Sequence, residues 1–394
     1  MPIAGEVAII GAASTAFGVH HDRDYLDLLA EAAMGAVADA GIDLSVVESA
    51  WLGTAEPGLT ALVGDAGTAV AQAIGFAPRP VTRVANFCTT GHECVRAAAL
   101  DVASGEHKLV LAVGAEKMRD VPSRGSLVAR TANLTHPTVA KGRTAPGQFA
   151  LLANRYMAEY GVARETLAQV SVKNHEHALR NPKAHFRKAV TIEEVLAAPL
   201  IAEPFGVLDC TPTTDGAAAV ILAPVAWARE HAKQYAVIRG FGLSVTSGYY
   251  STFFDEDWDY LGFRPTREAA ATAYRQAGIT DPRRELDLVE CHDCFTVTEL
   301  VNYEDLGLCG RGEGGDLLLS GATAHGGDIP VNVSGGLQSC GHPVGATGVR
   351  MICEITDHIL GRAGERQVEG AKLGLAHTLG GPGVVSAVAV IGAA

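Results

Sequence analysis

The sequence predicts an α/β fold assembled from two similar halves, and three observations carry that prediction. Short apolar runs, most of them ending in or leading up to a glycine, recur along the chain with the length of buried strands. Between them lie stretches whose apolar residues stand three and four apart, as one face of a helix requires. The order strand, helix, strand, reactive turn, helix, strand occurs once in the first half and again in the second, which reads as an internal duplication of one α/β unit.

In the first half, Val7-Ala8-Ile9-Ile10-Gly11 is a buried strand. Residues 24–40 place Leu26, Leu28, Leu29, Ala32, Ala33 and Ala36 at helical spacing, and Gly41 closes the helix. Residues 49–53 form the next strand. A turn at Cys88 opens a small-residue helix over 88–103, with Val95, Ala98, Ala99 and Val102 on one face, and 109–113 is again a strand. The second half repeats this with a strand at 236–240, a helix at 265–277 closed by Gly278, a strand at 286–290 leading into His292, a helix at 345–360 after a glycine-rich turn, and strands at 373–375 and 384–391. Between the halves lies a polar, less regular stretch with helices at 149–160 and 191–197, and an insertion of that length in a compact enzyme usually carries function. The expected organisation is therefore a first half over 1–118, an inserted loop domain with the return strand over 119–224, and a second half over 225–394.

With 48% hydrophobic and 19% charged residues among 394, the chain has globular composition. A formal charge of −13 argues against nucleic-acid or membrane-surface binding, both of which want clustered lysine and arginine. Eight cysteines in a chain with ample core and no secretory leader read as reduced thiols in the cytoplasm rather than disulfides. No apolar run has the length of a membrane helix, and no dinucleotide or phosphate-loop glycine motif is present.

Four side chains stand in turns that end a strand or open a helix. Cys88 lies in Asn86-Phe87-Cys88-Thr89-Thr90-Gly91, just before a helix whose N-terminal amides would favour a thiolate, the nucleophilic form. Packing as a small hydrophobe is the alternative, and it is the better reading for Cys94. His292 and Cys294 stand in His292-Asp293-Cys294-Phe295. Cys291 and Cys294 have zinc-ligand spacing, but a structural zinc site needs a second pair and Cys309 and Cys340 stand alone, so no metal is expected. His342 lies in Gly341-His342-Pro343 among small residues, and a cysteine with a histidine is a nucleophile with its base. Gly380-Gly381-Pro382-Gly383 is either a tight turn or a source of amides for an oxyanion.

Together these turns resemble the thiolase superfamily over essentially the whole chain. The Cys88 turn, Val113-Gly114-Ala115-Glu116-Lys117-Met118, Asp209-Cys210-Thr211-Pro212-Thr213-Thr214-Asp215-Gly216-Ala217-Ala218-Ala219, and Asn332-Val333-Ser334-Gly335-Gly336 through Gly341-His342-Pro343-Val344-Gly345-Ala346-Thr347-Gly348 look like its ordered blocks. His292-Asp293-Cys294-Phe295, and His377-Thr378-Leu379-Gly380-Gly381 where ordinary thiolases carry a late cysteine, resemble the sterol-carrier-protein-2-type subgroup, as do Lys173-Asn174-His175 and Asn181-Pro182. The resemblance implies the thiolase fold: duplicated mixed five-stranded sheets in α-β-α-β-α layers with an inserted loop domain. It also implies a homodimer or homotetramer, coenzyme A and acyl-CoA as substrates with no bound cofactor, and in some relatives an OB-fold, zinc-ribbon partner protein.

By motif match, Cys88 is the nucleophile, His342 its base, Cys294 the acid/base that handles the α-proton, and His292 a donor to the thioester oxygen. Leu379 or Gly380 would add a backbone amide, and His377 and Ser247 would contact substrate. The implied reaction is formation or cleavage of a 3-ketoacyl-CoA. The alternatives are a thiolase-like lyase, aldolase or acyltransferase on a CoA ester, a ketoacyl synthase, and a non-catalytic acyl-CoA-binding subunit. Two departures stand out: His92, where relatives commonly have a small residue, and the acidic run Asp255-Glu256-Asp257-Trp258-Asp259-Tyr260 beside the region expected for CoA.

Overall fold

The computed structural model describes residues 2–61, 66–121, 144–246 and 259–394. Its first half begins with β1 (Val7–Ser14) and α1 (Tyr25–Ala40). Asp24 accepts the Asp27 amide while the Asp27 side chain accepts the Asp24 amide, and Gly41 ends the helix at φ 67°. β2 (Ser49–Gly53), β3 (Val81–Val84), α2 (Thr90–Ser104) and β4 (Val110–Glu116) follow. The insertion contributes α3 (Ala145–Tyr160), α4 (Arg164–Ala178) and a two-stranded ribbon of β5 (Leu200–Ala202) and β6 (Phe205–Gly206). β7 (Gly216–Pro224) returns through the first half. The second half runs β8 (Ala236–Val245), α5 (Arg264–Ala277), β9 (Leu288–Glu290), α6 (Thr296–Asp305), α7 (Gly336–Cys340), α8 (Val344–Ile359), β10 (Leu373–Gly380) and β11 (Val385–Ala393).

The duplication is plain in the strand pairing. The first half orders its strands β3-β2-β4-β7-β1, with β2 parallel to β3 and β4, and β7 antiparallel to β4 and β1. The second half has β9-β10-β11-β8 with the same sequence of senses, and a parallel bridge between Val289 and Val331 stands where β3 stands in the first. The second five-stranded sheet is thus four strands and one bridge among the described residues. The two sheets meet edge to edge where Ala8 and Ile9 of β1 pair with Val237 and Ala236 of β8.

α1 packs on β1 and β7, α5 packs on β8 and β11, and α2 and α8 lie against each other between the sheets. That arrangement is the α-β-α-β-α layering. One apolar core fills the space beneath α1, and a larger one runs through the middle layer into the second half. Because α2 and α8 are both central, the turns that precede them, bearing Cys88 and His342, are brought together.

Asp215 joins the insertion to this frame. Its carboxylate accepts the amides of Met118 (2.6 Å), Arg119 (2.8 Å) and His20 (3.1 Å) and pairs with the buried Lys117 ammonium at 2.9 Å. The chain therefore leaves and re-enters the first half at one fixed point.

Candidate active site

Cys88 is held by a compact turn between β3 and α2. The Thr90 hydroxyl donates to Phe87 O (2.6 Å) and accepts the Asn86 amide (2.8 Å), while the Thr89 hydroxyl donates to Asn86 O (2.6 Å). Phe87 takes φ 48°, a backbone conformation that non-glycine residues seldom adopt. The half-buried thiol of Cys88 then stands two residues ahead of the first turn of α2.

The Cys88 sulfur, a ring nitrogen of His292 and a ring nitrogen of His342 all lie within 4.8 Å of one another. The two imidazoles meet edge to face, with centroids 5.2 Å apart at 84°. Residues more than two hundred positions apart in sequence thus converge on one sulfur.

The protonation of His342 follows from its neighbours. The Thr347 hydroxyl donates to Pro343 O at 2.9 Å, so toward His342 Nδ1, 2.7 Å away, it can only accept. Nδ1 carries the hydrogen and Nε2 keeps the lone pair. The turn is anchored by the Glu116 carboxylate, which accepts the amides of Gly345 (3.0 Å), Ala55 (2.9 Å) and Glu56 (3.1 Å).

His292 is fully buried, which pushes its pKa down to about 3, and His92 nearby adds to the shift. It is a neutral imidazole at physiological pH, and its Nδ1 has no hydrogen-bond partner among the described residues. The His292 amide points to Nδ1 of His377 at 3.4 Å, so the other nitrogen of His377 carries the hydrogen and faces Thr266 (3.2 Å) and Ser386 (3.1 Å). Both nitrogens of His377 are therefore spent inside the protein. Against the expected substrate contact by His377, these bonds show the residue supporting the His292 turn.

Cys294 lies outside the 4.8 Å set but within electrostatic reach of it. Burial pushes its thiol well up, and the neighbouring Cys88 pushes it further. Its sulfur stands 3.8 Å from the Thr298 hydroxyl. At Gly380 an added Cβ would come within 2.8 Å of Phe87 Cβ and 3.2 Å of the Cys88 amide nitrogen, so the end of β10 lies against the Cys88 turn only because that residue is glycine. Leu379 beside it is buried. Ser247, and residues 255–258 of the acidic run, lie outside the described residues.

Beneath the His292 turn is a polar layer that the motifs flagged without giving it a task. Asp293 accepts the amides of Leu337 (2.6 Å) and Gln338 (3.4 Å) and the Asn174 side-chain amide (2.8 Å), tying its own turn to α7, which leads directly to His342. Asn174 donates also to Glu299 (2.7 Å), which pairs with Lys173 (2.9 Å) and accepts from Asn332 (2.6 Å). Burial first, then the charge of Glu299, raises the Asp293 pKa. Lys173-Asn174, read from sequence only as a subgroup mark, is thus the insertion's hold on the His292 turn.

His92 proves to be internal. Burial lowers its pKa to about 3, its Nε2–H donates to Ala376 O (3.1 Å), and its Nδ1 accepts from the Thr378 hydroxyl (3.0 Å). It links α2 to β10 across the two halves.

Comparison with known proteins identifies the family. The family description "Thiolase, N-terminal domain" matches residues 7–226, and "Thiolase C-terminal domain-like" matches residues 250–393. An acetyl-CoA acetyltransferase of Methanothermobacter thermautotrophicus is 40% identical over 97% of this chain and 98% of its own length. Human sterol carrier protein 2 is 35% identical over 96% of this chain and 70% of its own length. Among solved structures, the Ltp2-ChsH2(DUF35) aldolase superposes with a TM-score of 0.86 at 28% identity, covering 99% of this chain and 98% of that one.

Proposed function

Since the chain belongs to the thiolase family, we propose that it forms and cleaves 3-ketoacyl-CoA thioesters through an acyl-enzyme on Cys88. It is an acyltransferase of the thiolase type, with CoA thioesters as substrates, and its relatives place it in the sterol-carrier-protein-2-type subgroup. The observation that carries the catalytic assignment is the convergence of Cys88, His292 and His342 within 4.8 Å.

In the cleavage direction, Nε2 of His342 takes the Cys88 proton and the thiolate attacks the 3-keto carbonyl. The C2–C3 bond breaks, its electron pair passes to C2, and the Cys294 thiol protonates that carbon as acetyl-CoA departs. The raised thiol of Cys294 is in the protonated form this step consumes. The imidazolium of His342 restores the Cys294 proton. The incoming CoA thiol then gives its proton to His342 and attacks the acyl-Cys88 thioester, and the released thiolate recovers that proton. Condensation is the reverse. Neutral His292 donates a hydrogen bond to the thioester oxygen, and the amides of Cys88 and of Leu379 or Gly380 serve the acyl oxygen. One preorganised donor of this kind is worth about 2.7–4 kcal/mol of barrier.

The test is intact mass after mixing with acetoacetyl-CoA. A mass gain of one acetyl group on the chain is expected, lost in Cys88→Ala. Acetylation of Cys88→Ala at the original rate would refute the assignment.

The aldolase neighbour supports a second reading, retro-aldol cleavage of a CoA ester. Retention of both Cys88 and Cys294 favours thiolysis, and the two differ in one requirement: thiolysis consumes CoA and aldol cleavage does not. Turnover of a CoA ester without added CoA would favour the aldolase. No helix among the described residues is long and apolar enough to cross a membrane. A cytoplasmic homodimer or homotetramer in lipid metabolism, with or without an OB-fold, zinc-ribbon partner, completes the proposal. Light scattering of the purified chain tests the assembly.

A further inference from the structure

A cavity of about 480 Å³, lined by none of Cys88, His292, Cys294 and His342, opens between the end of β1, the chain at 180–187 and the C-terminal part of α8. Arg350 lines it and is only 3% exposed. One of its nitrogens, Nη1, donates to Glu290 (2.7 Å) and Ser334 (2.6 Å). The other two, Nε and Nη2, are buried with no hydrogen-bond partner among the described residues. These two nitrogens form one edge of the guanidinium, and that edge matches two oxygens of a single phosphate. Leaving two buried N–H donors unmet is costly, so a ligand that meets them gains correspondingly.

The charge around the cavity points the same way. Of its acidic residues, Glu354 is engaged by Arg366 (2.6 Å) and Asp357 by Arg362 (2.7 Å). With those pairs and Arg350–Glu290 set aside, Arg180, Lys183 and Arg187 remain against Glu365 alone. Their hydrogen bonds are to neutral groups: Arg180 to Glu176 O (3.5 Å), Lys183 to Ser14 O (2.7 Å) and Arg187 to Leu179 O (3.4 Å). Among the described residues none of the three pairs with a carboxylate. Three cations against one carboxylate suit a doubly charged anion, and a phosphate group carries about −1.5 to −2 at pH 7.

We propose that this cavity binds a phosphate-class oxyanion, gripped by Arg350 at its floor and by Arg180, Lys183 and Arg187 at its rim, separately from the CoA substrate. The phosphate group could be free or part of a phosphorylated metabolite, and the chain should bind inorganic phosphate in either case.

The experiment is calorimetric titration of the full chain with inorganic phosphate at fixed ionic strength, with sodium chloride as the control arm and a repeat at saturating CoA. Saturable phosphate binding that chloride does not reproduce and CoA does not displace is expected. Arg350→Met should abolish it. Because that variant also strips Glu290 of its partner, the rim pair Arg180→Ala/Arg187→Ala provides a milder measure, expected to weaken binding about tenfold or more. No saturation in the natural chain, displacement by CoA, or unchanged affinity in the rim variant would each overturn the proposal.

Discussion

At the scale of single residues, the hydroxyl of Thr347 decides which nitrogen of His342 is basic. Thr347→Val removes the acceptor that holds the hydrogen on Nδ1, and acylation by acetoacetyl-CoA should slow roughly tenfold, the size of one hydrogen bond of about 1–1.5 kcal/mol. Stopped-flow measurement of the acylation phase checks this, and an unchanged rate would remove Thr347 from the account. Cys294→Ala should still acquire an acetyl group from acetyl-CoA but fail to condense it with a second acetyl-CoA, so a normal condensation rate in that variant would show that another group moves the α-proton. The residues named from sequence were those whose chemistry announces itself: a cysteine before a helix, and histidines in glycine-rich turns. Thr347, Asp293 and Glu116 were not singled out, although each sat inside a quoted motif. Their work consists of bonds to amides or rings that only folding brings near, and nothing about a threonine or an acid in the linear sequence advertises such a partner. For His377 the motif gave a position but not the internal hydrogen bonds of both ring nitrogens, because position in a motif does not reveal which way a ring faces.

At the scale of elements, the helices with a clean apolar stripe were readable to within a residue or two. α1, expected over 24–40, spans Tyr25–Ala40. α8, expected over 345–360, spans Val344–Ile359. α4 and α6 were passed over for one physical reason: their buried faces are polar. α4 buries Lys173, Asn174, His175 and His177, and α6 buries all ten of its residues, among them Glu299, Asn302 and Asp305. A periodicity test that looks for leucine cannot see a helix whose inward side is a hydrogen-bond network. β10, read as three residues, runs to Gly380 because His377 and Thr378 are interior despite their polarity. The contact between α2 and α8 makes its own prediction. A Cβ at Gly348 would lie 2.4 Å from the His92 amide nitrogen and 2.5 Å from its Nδ1. Gly348→Ala should therefore cost about 1–3 kcal/mol of stability by denaturant titration. His92→Ser should not restore it, since the nearest obstacle is backbone. Full restoration would mean that the ring alone sets the spacing.

At the scale of the whole molecule, the histidines set a pH dependence. His92, His292 and His377 are buried and neutral, with pKa values held below the ordinary 6.5 by burial. The unfolded chain binds protons at these groups first as pH falls, so stability is full above about 6.5 and is lost below it, each group contributing up to roughly 1.4 kcal/mol per pH unit. Asp305 and Asp357, raised by burial to about 6, act with the opposite sign: the folded form holds their protons, so between their ordinary pKa of 3.8 and about 6 they add stability as pH falls. Asp293, raised by the same burial, adds to that offset, so unfolding midpoints should fall only gradually as pH drops below 6.5, and midpoints that rise across that range would contradict neutral burial of the three rings. The same global view bears on ancestry. Cys88 stands before α2 and His342 before α8, which are corresponding places in the two repeats, on either side of the β1–β8 seam. A symmetrical forebear made of two identical copies would have set like against like there, thiol facing thiol or imidazole facing imidazole. Joining the copies in one polypeptide frees each from its twin, so that one repeat can carry a sulfur at this place while the other carries a ring.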